Sequence, residues 1–152
     1  MSLQSILVPL FVQTGLAFFL IIWMAKERTA LLQLREVKWQ DVALRQKAWP
    51  DRTQQIANCF ENQFEKPVLF YALVVLAIIT KRADLLFVVM EWLFVAPRVA
   101  HAYAFTTSNY VPLHGQFFIA GTILLLFMWE IFLFMWEIFA LRILAGPLSG
   151  AL

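Results

Sequence analysis

A long run of uncharged and mostly apolar residues near the start of this chain limits the solvents in which it can fold. The run extends from Ile6 to Ala25, and ~20 such residues are enough for a helix to cross the hydrocarbon core of a bilayer. It lacks the basic segment that precedes the apolar core of a signal peptide, so we interpret it as a retained membrane span. The whole chain, with 62% hydrophobic and 14% charged residues, departs from a soluble composition in the same direction.

Three further apolar stretches follow the first one. These predicted spans cover residues 56–80, 85–105 and 115–144. Short connections between successive helices make neighbouring helices antiparallel. The sequence therefore predicts an all-α membrane protein, in which residues 1–152 form a single four-span domain folded as an antiparallel four-helix transmembrane bundle.

Basic residues are distributed unevenly between the connections. Residues 26–55 contain seven Lys or Arg, whereas the turn after the second span contains only Lys81 and Arg82. Because basic loops tend to stay in the cytoplasm, we expect the loops 26–55 and 106–114 to be cytoplasmic. Apolar residues recur through residues 26–55, a pattern that fits both a helix lying on the headgroups and a solvated loop.

The second predicted span begins with polar side chains. Its uncharged part, residues 67–80, is too short to cross the bilayer, so the helix must begin earlier and carry four polar residues into the membrane. In the third span, Arg98 and His101 lie at the matching depth. Lone charges in lipid are costly, and we therefore expect a polar pocket between the two spans. The four polar residues of the second span are Asn58, Glu61, Asn62 and Glu65.

Glu61 and Arg98 are the expected partners within this polar region. A Glu–Arg pair between membrane helices can line a binding pocket, but it can equally serve only to fix how the helices pack. The residues alone favour neither interpretation.

Several other kinds of site are not indicated. The chain has two histidines and one cysteine, Cys59, so we expect neither a metal site nor an internal disulfide. It contains no glycine-rich phosphate loop. Its net charge of +2 is too small to indicate binding of nucleic acid.

Three sequence blocks nevertheless resemble a known family. The run ANCFENQFEKPVLFYALVVL is followed by WLFVAPRVAHAYAF and then by SNYVPLHGQFFIAG. In this order they resemble the bacterial branch of the MAPEG family, the membrane-associated proteins of eicosanoid and glutathione metabolism. The similarity extends from Thr53 to Phe127 and includes the Asn-x-x-Glu core of the family at Asn58 and Glu61.

The resemblance implies a homotrimer of four-helix bundles in a bacterial inner membrane, with glutathione as co-substrate held between subunits near the cytoplasmic face. Where characterised members have an arginine before the Asn, this chain has Thr53 and Gln54. Where they have the arginine that stabilises the glutathione thiolate, it has His114, which is the catalytic candidate. The candidate glutathione-binding residues are Asn58, Glu61, Arg98, Arg52, Asn62 and His101.

The activity implied by the resemblance is that of a glutathione-dependent transferase or peroxidase acting on lipophilic electrophiles. The expected partners are then membrane lipid and lipophilic small molecules. The alternative is a non-catalytic scaffold or lipid-binding protein that keeps the same fold. A small transporter is less favoured, because the ionisable residues of the second and third spans do not form a continuous path across the bilayer.

Overall fold

The computed structural model describes residues 2–43 and 48–145, including the side chains of residues 112–138 and 141 in the last helix. The described residues contain helices and turns but no β-strand. Four helical segments are long and apolar enough to cross a membrane, as the four apolar runs predicted; the second of them, Asp51–Ile79, comprises two of the helices. The helices are α1 (Leu3–Gln33), α2 (Trp39–Val42), α3 (Asp51–Glu61), α4 (Lys66–Ile79), α5 (Leu85–Thr106) and α6 (Val111–Ala145).

The spanning helices pack as a closed bundle. The helix α1 contacts α3, α4 and α5, and α6 contacts α4 and α5. Two buried clusters run along the bundle, and both contain residues of α1 and α5: Ile6 with Val88 in one, and Leu20 with Ala102 in the other. Because the cluster near the start of α1 contains residues from the first half of α5, and the cluster further along α1 contains Ala102 from its second half, α1 and α5 run parallel.

The helices extend beyond the predicted spans at several points. The first helix continues to Gln33, so the predicted loop 26–55 begins and ends with helical residues. Residues 44–47 of that loop lie outside the described part of the chain. The predicted loop 106–114 is shorter than expected, because α6 already begins at Val111. Pro112 does not delay it, since a residue in the first turn of a helix needs no hydrogen-bonded N–H.

The second span is interrupted where a continuous helix was expected. Residues 62–65 form turns between α3 and α4, in which Gln63 and Phe64 bond to carbonyls three residues earlier. Pro67 lies in the first turn of α4. A continuous helix would force its ring against the carbonyl of Gln63, so the chain breaks here. Irregular backbone at membrane depth must be covered by protein or line a cavity.

Two helices end with a basic residue in a left-handed conformation. Arg35 (φ 58°) follows α1, and Lys81 (φ 56°) follows α4. In each case the amide of the left-handed residue and the amide after it bond back to the last turn, which is the Schellman arrangement usually completed by glycine. A side chain in this region costs roughly 1–2 kcal/mol.

Replacing either residue by glycine should therefore stabilise the protein. We expect Arg35→Gly and Lys81→Gly each to raise the unfolding free energy by about 0.5 kcal/mol, because the relief of strain exceeds the larger entropy of glycine in the unfolded chain. Thermal unfolding in detergent measures the effect. Lys26→Gly, inside α1, is the control, and it should lower the free energy of unfolding by about 1 kcal/mol. A loss at all three positions would contradict the expectation.

Candidate functional site

The expected polar face of α3 is open to the surroundings of the single chain. Asn58 and Glu61 are both exposed. Gln54, one turn before Asn58, donates a hydrogen bond from Nε2 to the Asn58 side-chain oxygen over 2.6 Å. The spacing 54, 58 and 61 places these three side chains on one side of the helix, so an amide pair and a carboxylate lie side by side.

A cleft of about 430 Å³ lies beside this face of α3, between α3 and the end of α1. Arg28 of α1 lines it together with Gln54, Phe60 and Glu61. The Arg28 guanidinium lies 4.9 Å from the centre of the Trp49 ring, a cation–π distance. Its buried Nε has no hydrogen-bond partner. The cleft thus combines a cation, a carboxylate and an amide next to aromatic rings.

Arg98 lies in the bundle interior and not in this cleft. The residue is 0% exposed, and its Nη2 donates to the backbone oxygen of Asn62 over 2.7 Å. The expected ion pair with Glu61 is wrong for the single chain, because Glu61 turns toward the open cleft. The break after α3 instead leaves the Asn62 carbonyl free to accept the bond. The predicted depth match between the two spans is present all the same.

The remaining N–H groups of Arg98 have no partner. Its Nε and Nη1 are buried and unbonded, and no carboxylate in the described part of the chain forms an ion pair with it. Glu65, which is exposed, does act on Arg98 electrostatically. An arginine keeps its charge in proteins, so this interior position is positively charged.

The two histidines meet at the junction of α5 and α6. His101 is buried, and its Nδ1 lies 2.8 Å from the backbone oxygen of His114. Since a carbonyl only accepts, Nδ1 carries the proton, and Nε2 of His101 is left as a buried group without a partner. The two rings meet edge to face at 5.5 Å. Neither histidine is among the described residues that line the cleft.

Arg52 connects α3 to α5. Its side chain is exposed, Nη1 donates to the backbone oxygen of Thr106, and the guanidinium lies 5.2 Å from the centre of the Trp23 ring. The neighbouring Gln55 donates to the backbone oxygen of Phe105. These contacts hold the start of α3 against the end of α5 and so position the polar face of α3.

Lys66 and Arg28 are polar residues that the sequence reasoning did not select. Lys66 opens α4 just after the break, and its Nζ donates to the backbone oxygen of Phe118 over 3.2 Å and to the hydroxyl of Thr122. Lys66 therefore holds the turns between α3 and α4 against α6. The position of Lys66 beside Pro67, where the helix breaks, could have indicated its role. Arg28 follows the first span with no motif around it, so no such indication exists for it in the sequence.

Glu91 is a further buried ionisable group. It is 0% exposed on α5, and neither carboxylate oxygen has a hydrogen-bond partner. It lies two helical turns before Arg98, toward the end of the bundle that carries Lys81. In residues 2–43 and 48–145, no group of three or more His, Cys, Asp or Glu side chains could hold a metal ion.

The outer surface of the bundle is apolar along its length, with large exposed side chains such as Phe11, Phe18 and Ile22 on α1. Four apolar spanning helices around a buried polar interior define an integral membrane protein of the helical-bundle class. The sequence model of the MAPEG family matches residues 6–134. The chain belongs to this family of membrane proteins of glutathione and eicosanoid metabolism. No curated protein matches the chain significantly, and neither does any solved structure.

Proposed function

We propose that the protein binds glutathione in the cleft between α1 and α3 and joins it, through its thiol sulfur, to lipophilic electrophiles. The observation that carries this proposal is the combination of Arg28, Gln54 and Glu61 around one open cleft. Glutathione has two carboxylates, one ammonium group and two peptide amides. The Arg28 guanidinium would bind a carboxylate, and the Glu61 carboxylate would bind the ammonium group. The amides of Gln54 and Asn58 would form hydrogen bonds with the peptide groups. The cleft volume lies within the range of small-molecule sites.

An apolar groove beside the cleft supports a lipophilic second substrate. The groove has a volume of about 260 Å³ and is lined by residues including Phe18 and Ile21 of α1 and Phe64 of the break. Phe60 lines both the groove and the cleft. An apolar molecule dissolved in the bilayer would therefore reach the wall of the cleft without crossing water.

The proposed chemistry requires a stabilised thiolate. A cation beside a thiol favours the thiolate, which is the nucleophilic form. Arg28 is the cation that lines the cleft in the described chain, whereas His114 lies at the start of α6, outside the described lining. In conjugation the thiolate sulfur would form a bond to an electrophilic carbon, whose leaving group departs. Reduction of a hydroperoxide, the peroxidase alternative, would consume two molecules of glutathione.

The interior residues have a positioning role in this proposal. Arg98 is enclosed and holds the turn after Glu61 through the Asn62 carbonyl, and His101 joins α5 to the start of α6. Arg52 holds the beginning of α3. We propose that these three residues, with Asn62, fix the polar face of α3, and that Asn58 and Glu61 contact glutathione directly.

Assembly and orientation are part of the proposal. Asn58 and Glu61 are exposed in a single chain, so a neighbouring copy in a homotrimer could complete the site, as the family resemblance implies. The basic residues between the first two spans favour a cytoplasmic location for the cleft. Light scattering of the purified protein in detergent would give the number of chains.

The test is calorimetry of the purified protein with glutathione and with ophthalmic acid, which lacks the thiol. We expect both compounds to bind, and only glutathione to produce the ultraviolet absorbance of a thiolate. Absence of heat with both compounds would reject the proposal.

Glu61→Gln separates this proposal from a non-catalytic scaffold. Glu61 is exposed and makes no ion pair with Arg98. We therefore expect the unfolding temperature of the Glu61→Gln variant to differ little from that of the unmodified protein. Loss of a charged hydrogen bond should weaken glutathione binding by about tenfold to a hundredfold. The scaffold alternative predicts the opposite result, a lower unfolding temperature with no ligand effect to lose.

A further inference from the structure

Glu91 of α5 is a carboxyl group enclosed in an apolar part of the bundle. It is 0% exposed, and neither of its oxygens has a hydrogen-bond partner among residues 2–43 and 48–145. Arg98 lies two helical turns away on α5, and its charge acts on Cys59 and Lys66 but not on Glu91. A carboxylate without a partner is far more costly to bury than a neutral carboxylic acid. Glu91 therefore lacks the surroundings that would stabilise its charged form.

The other helices bring no countercharge to Glu91 within the described part of the chain. Residues 3–25 of α1 contain no ionisable side chain. Glu130 and Glu137 of α6 are both exposed, so they do not face α5. The nearest ionisable side chains of α3, α4 and the start of α6 lie further along the bundle, within electrostatic reach of Arg98 or His101. They are Cys59, Lys66, Tyr71 and His114.

The packing of α5 on α6 shows which residue lies opposite Glu91. A Cβ atom at Gly121 would lie 3.9 Å from the Cδ atom of Arg98, so these two positions face each other. Because only residues 107–110 join α5 to α6, the two helices run antiparallel. Seven residues back along α5 and seven residues forward along α6 are two helical turns in the same direction. On α5 this step leads to Glu91. On α6 it leads to Met128, an apolar residue that is 1% exposed.

A small cavity between α5 and α6 connects this region to the surface. Its volume is about 30 Å³, and it is lined by Met90 and Met128, the residue beside Glu91 and the residue opposite it. Asp84, which is exposed, and Arg82 line the same cavity. The space is enough for one water molecule. A narrow path thus leads from the surface toward Glu91, and the flexible side chain of Met128 forms its inner wall.

We propose that Glu91 is a proton-binding site, which exchanges its proton through this cavity with the side of the membrane that carries Asp84. In the folded protein the carboxyl group holds its proton. When the proton passes to water, the carboxylate that remains can be stabilised only by water, because no cation of the described chain acts on it. Water then enters along the cavity past Met128. Alkaline conditions on that side of the membrane thereby weaken the contact between α5 and α6.

A proton fits this position better than a metal ion does. A single carboxylate offers at most two ligand atoms, whereas calcium and magnesium ions take about six or more oxygen ligands. In residues 2–43 and 48–145, no group of three or more His, Cys, Asp or Glu side chains could hold a metal ion. A proton requires only the carboxylate itself, and its binding leaves a neutral group that the apolar surroundings tolerate.

The first experiment compares the unfolding of the unmodified protein and of Glu91→Gln in mixed micelles, from about pH 5 to about pH 8. In this range the unfolded chain has lost the Glu91 proton, while the folded chain keeps it. The folding equilibrium constant of the unmodified protein should therefore fall about tenfold per pH unit relative to that of Glu91→Gln, until the folded chain also loses the proton. Glu36→Gln removes an exposed carboxylate outside the spanning helices, and it should follow the unmodified protein. A ratio of the Glu91→Gln and unmodified constants that does not change with pH would overturn the proposal.

The second experiment needs no substitution. Dicyclohexylcarbodiimide is an apolar reagent that reacts with protonated carboxyl groups and leaves an N-acylurea, which mass spectrometry locates in the chain. In proteoliposomes of known orientation, we expect Glu91 to be labelled and Glu36 to remain unlabelled. The labelling of Glu91 should decrease as the pH on the Asp84 side is raised. Equal labelling of Glu91 and Glu36 would contradict a bound proton at Glu91. Labelling that follows only the pH of the opposite side would overturn the route through the cavity.

Discussion

Phe94→Ala should lower the unfolding free energy by about 3 kcal/mol or more, the largest effect on stability that we expect from a single substitution in the core. Phe94 and Phe70 are both 0% exposed, and their rings stack with centroids 4.7 Å apart and an interplanar angle of 22°. The pair joins α4 to α5. Between membrane helices, van der Waals packing is the main source of stability, so an unfilled cavity at this contact cannot be offset by other means.

The neighbouring residue provides the control for this prediction. Leu93 is 54% exposed and lies one position away on the same helix, so Leu93→Ala removes a lipid-facing side chain. Leu93→Ala should lower the free energy of unfolding by less than about 1 kcal/mol. Reversible unfolding in mixed micelles with increasing denaturing detergent measures both variants. Equal losses for Phe94→Ala and Leu93→Ala would contradict the placement of Phe94 in the core.

The spanning helices could be predicted from the sequence because length and apolar character are local properties of the chain. Their ends could not be predicted as well. The end of α1 depends on the left-handed Arg35, a position where glycine would have been the usual signal. The beginning of α3 is held against the end of α5 by the bond from Arg52 to the Thr106 carbonyl, which joins distant parts of the chain. A pattern within one segment contains neither fact.

The sequence predicted the level of the buried polar residues along the bundle but not their hydrogen-bond partners. Arg98 does lie level with the end of α3, as the count of helical turns indicated. Its partner is the Asn62 carbonyl and not the Glu61 carboxylate, because the helix breaks after Glu61. Pro67 was a signal for this break. Shielding by neighbouring helices can also keep such a helix continuous, so the proline alone did not decide the matter.

The cleft itself could not be found from the sequence, because it depends on the rotation of α1. Within its span that helix is apolar except for Gln13 and Thr14, and these two adjacent residues form no stripe that indicates which side packs against α3. Arg28 enters the cleft only through this rotation and through its contact with Trp49. The polar face of α3 was predictable, since Asn58 and Glu61 lie on one helix and share a motif.

Arg28→Gln should weaken glutathione binding by about tenfold to a hundredfold, the size expected when a hydrogen bond to a charged group is lost. In the proposed site Arg28 holds a glutathione carboxylate, and its stacking on Trp49 fixes the guanidinium before the ligand arrives. Lys26→Gln is the matched control, because it makes the same change of charge two positions earlier on α1, at an exposed residue outside the cleft lining. Calorimetry should show a small change for it.

A second ligand identifies the interaction that Arg28 makes. Glutathione whose glycine carboxylate is amidated should bind the unmodified protein more weakly than glutathione does. If Arg28 binds that carboxylate, the Arg28→Gln variant should bind the two ligands with nearly equal affinity, since the guanidinium that contacts the carboxylate has been removed. Equal discrimination by both proteins would assign the carboxylate to another cation. Equal weakening by Lys26→Gln and Arg28→Gln would instead indicate a general effect of charge at the membrane surface, because such an effect does not depend on which side of α1 the cation occupies.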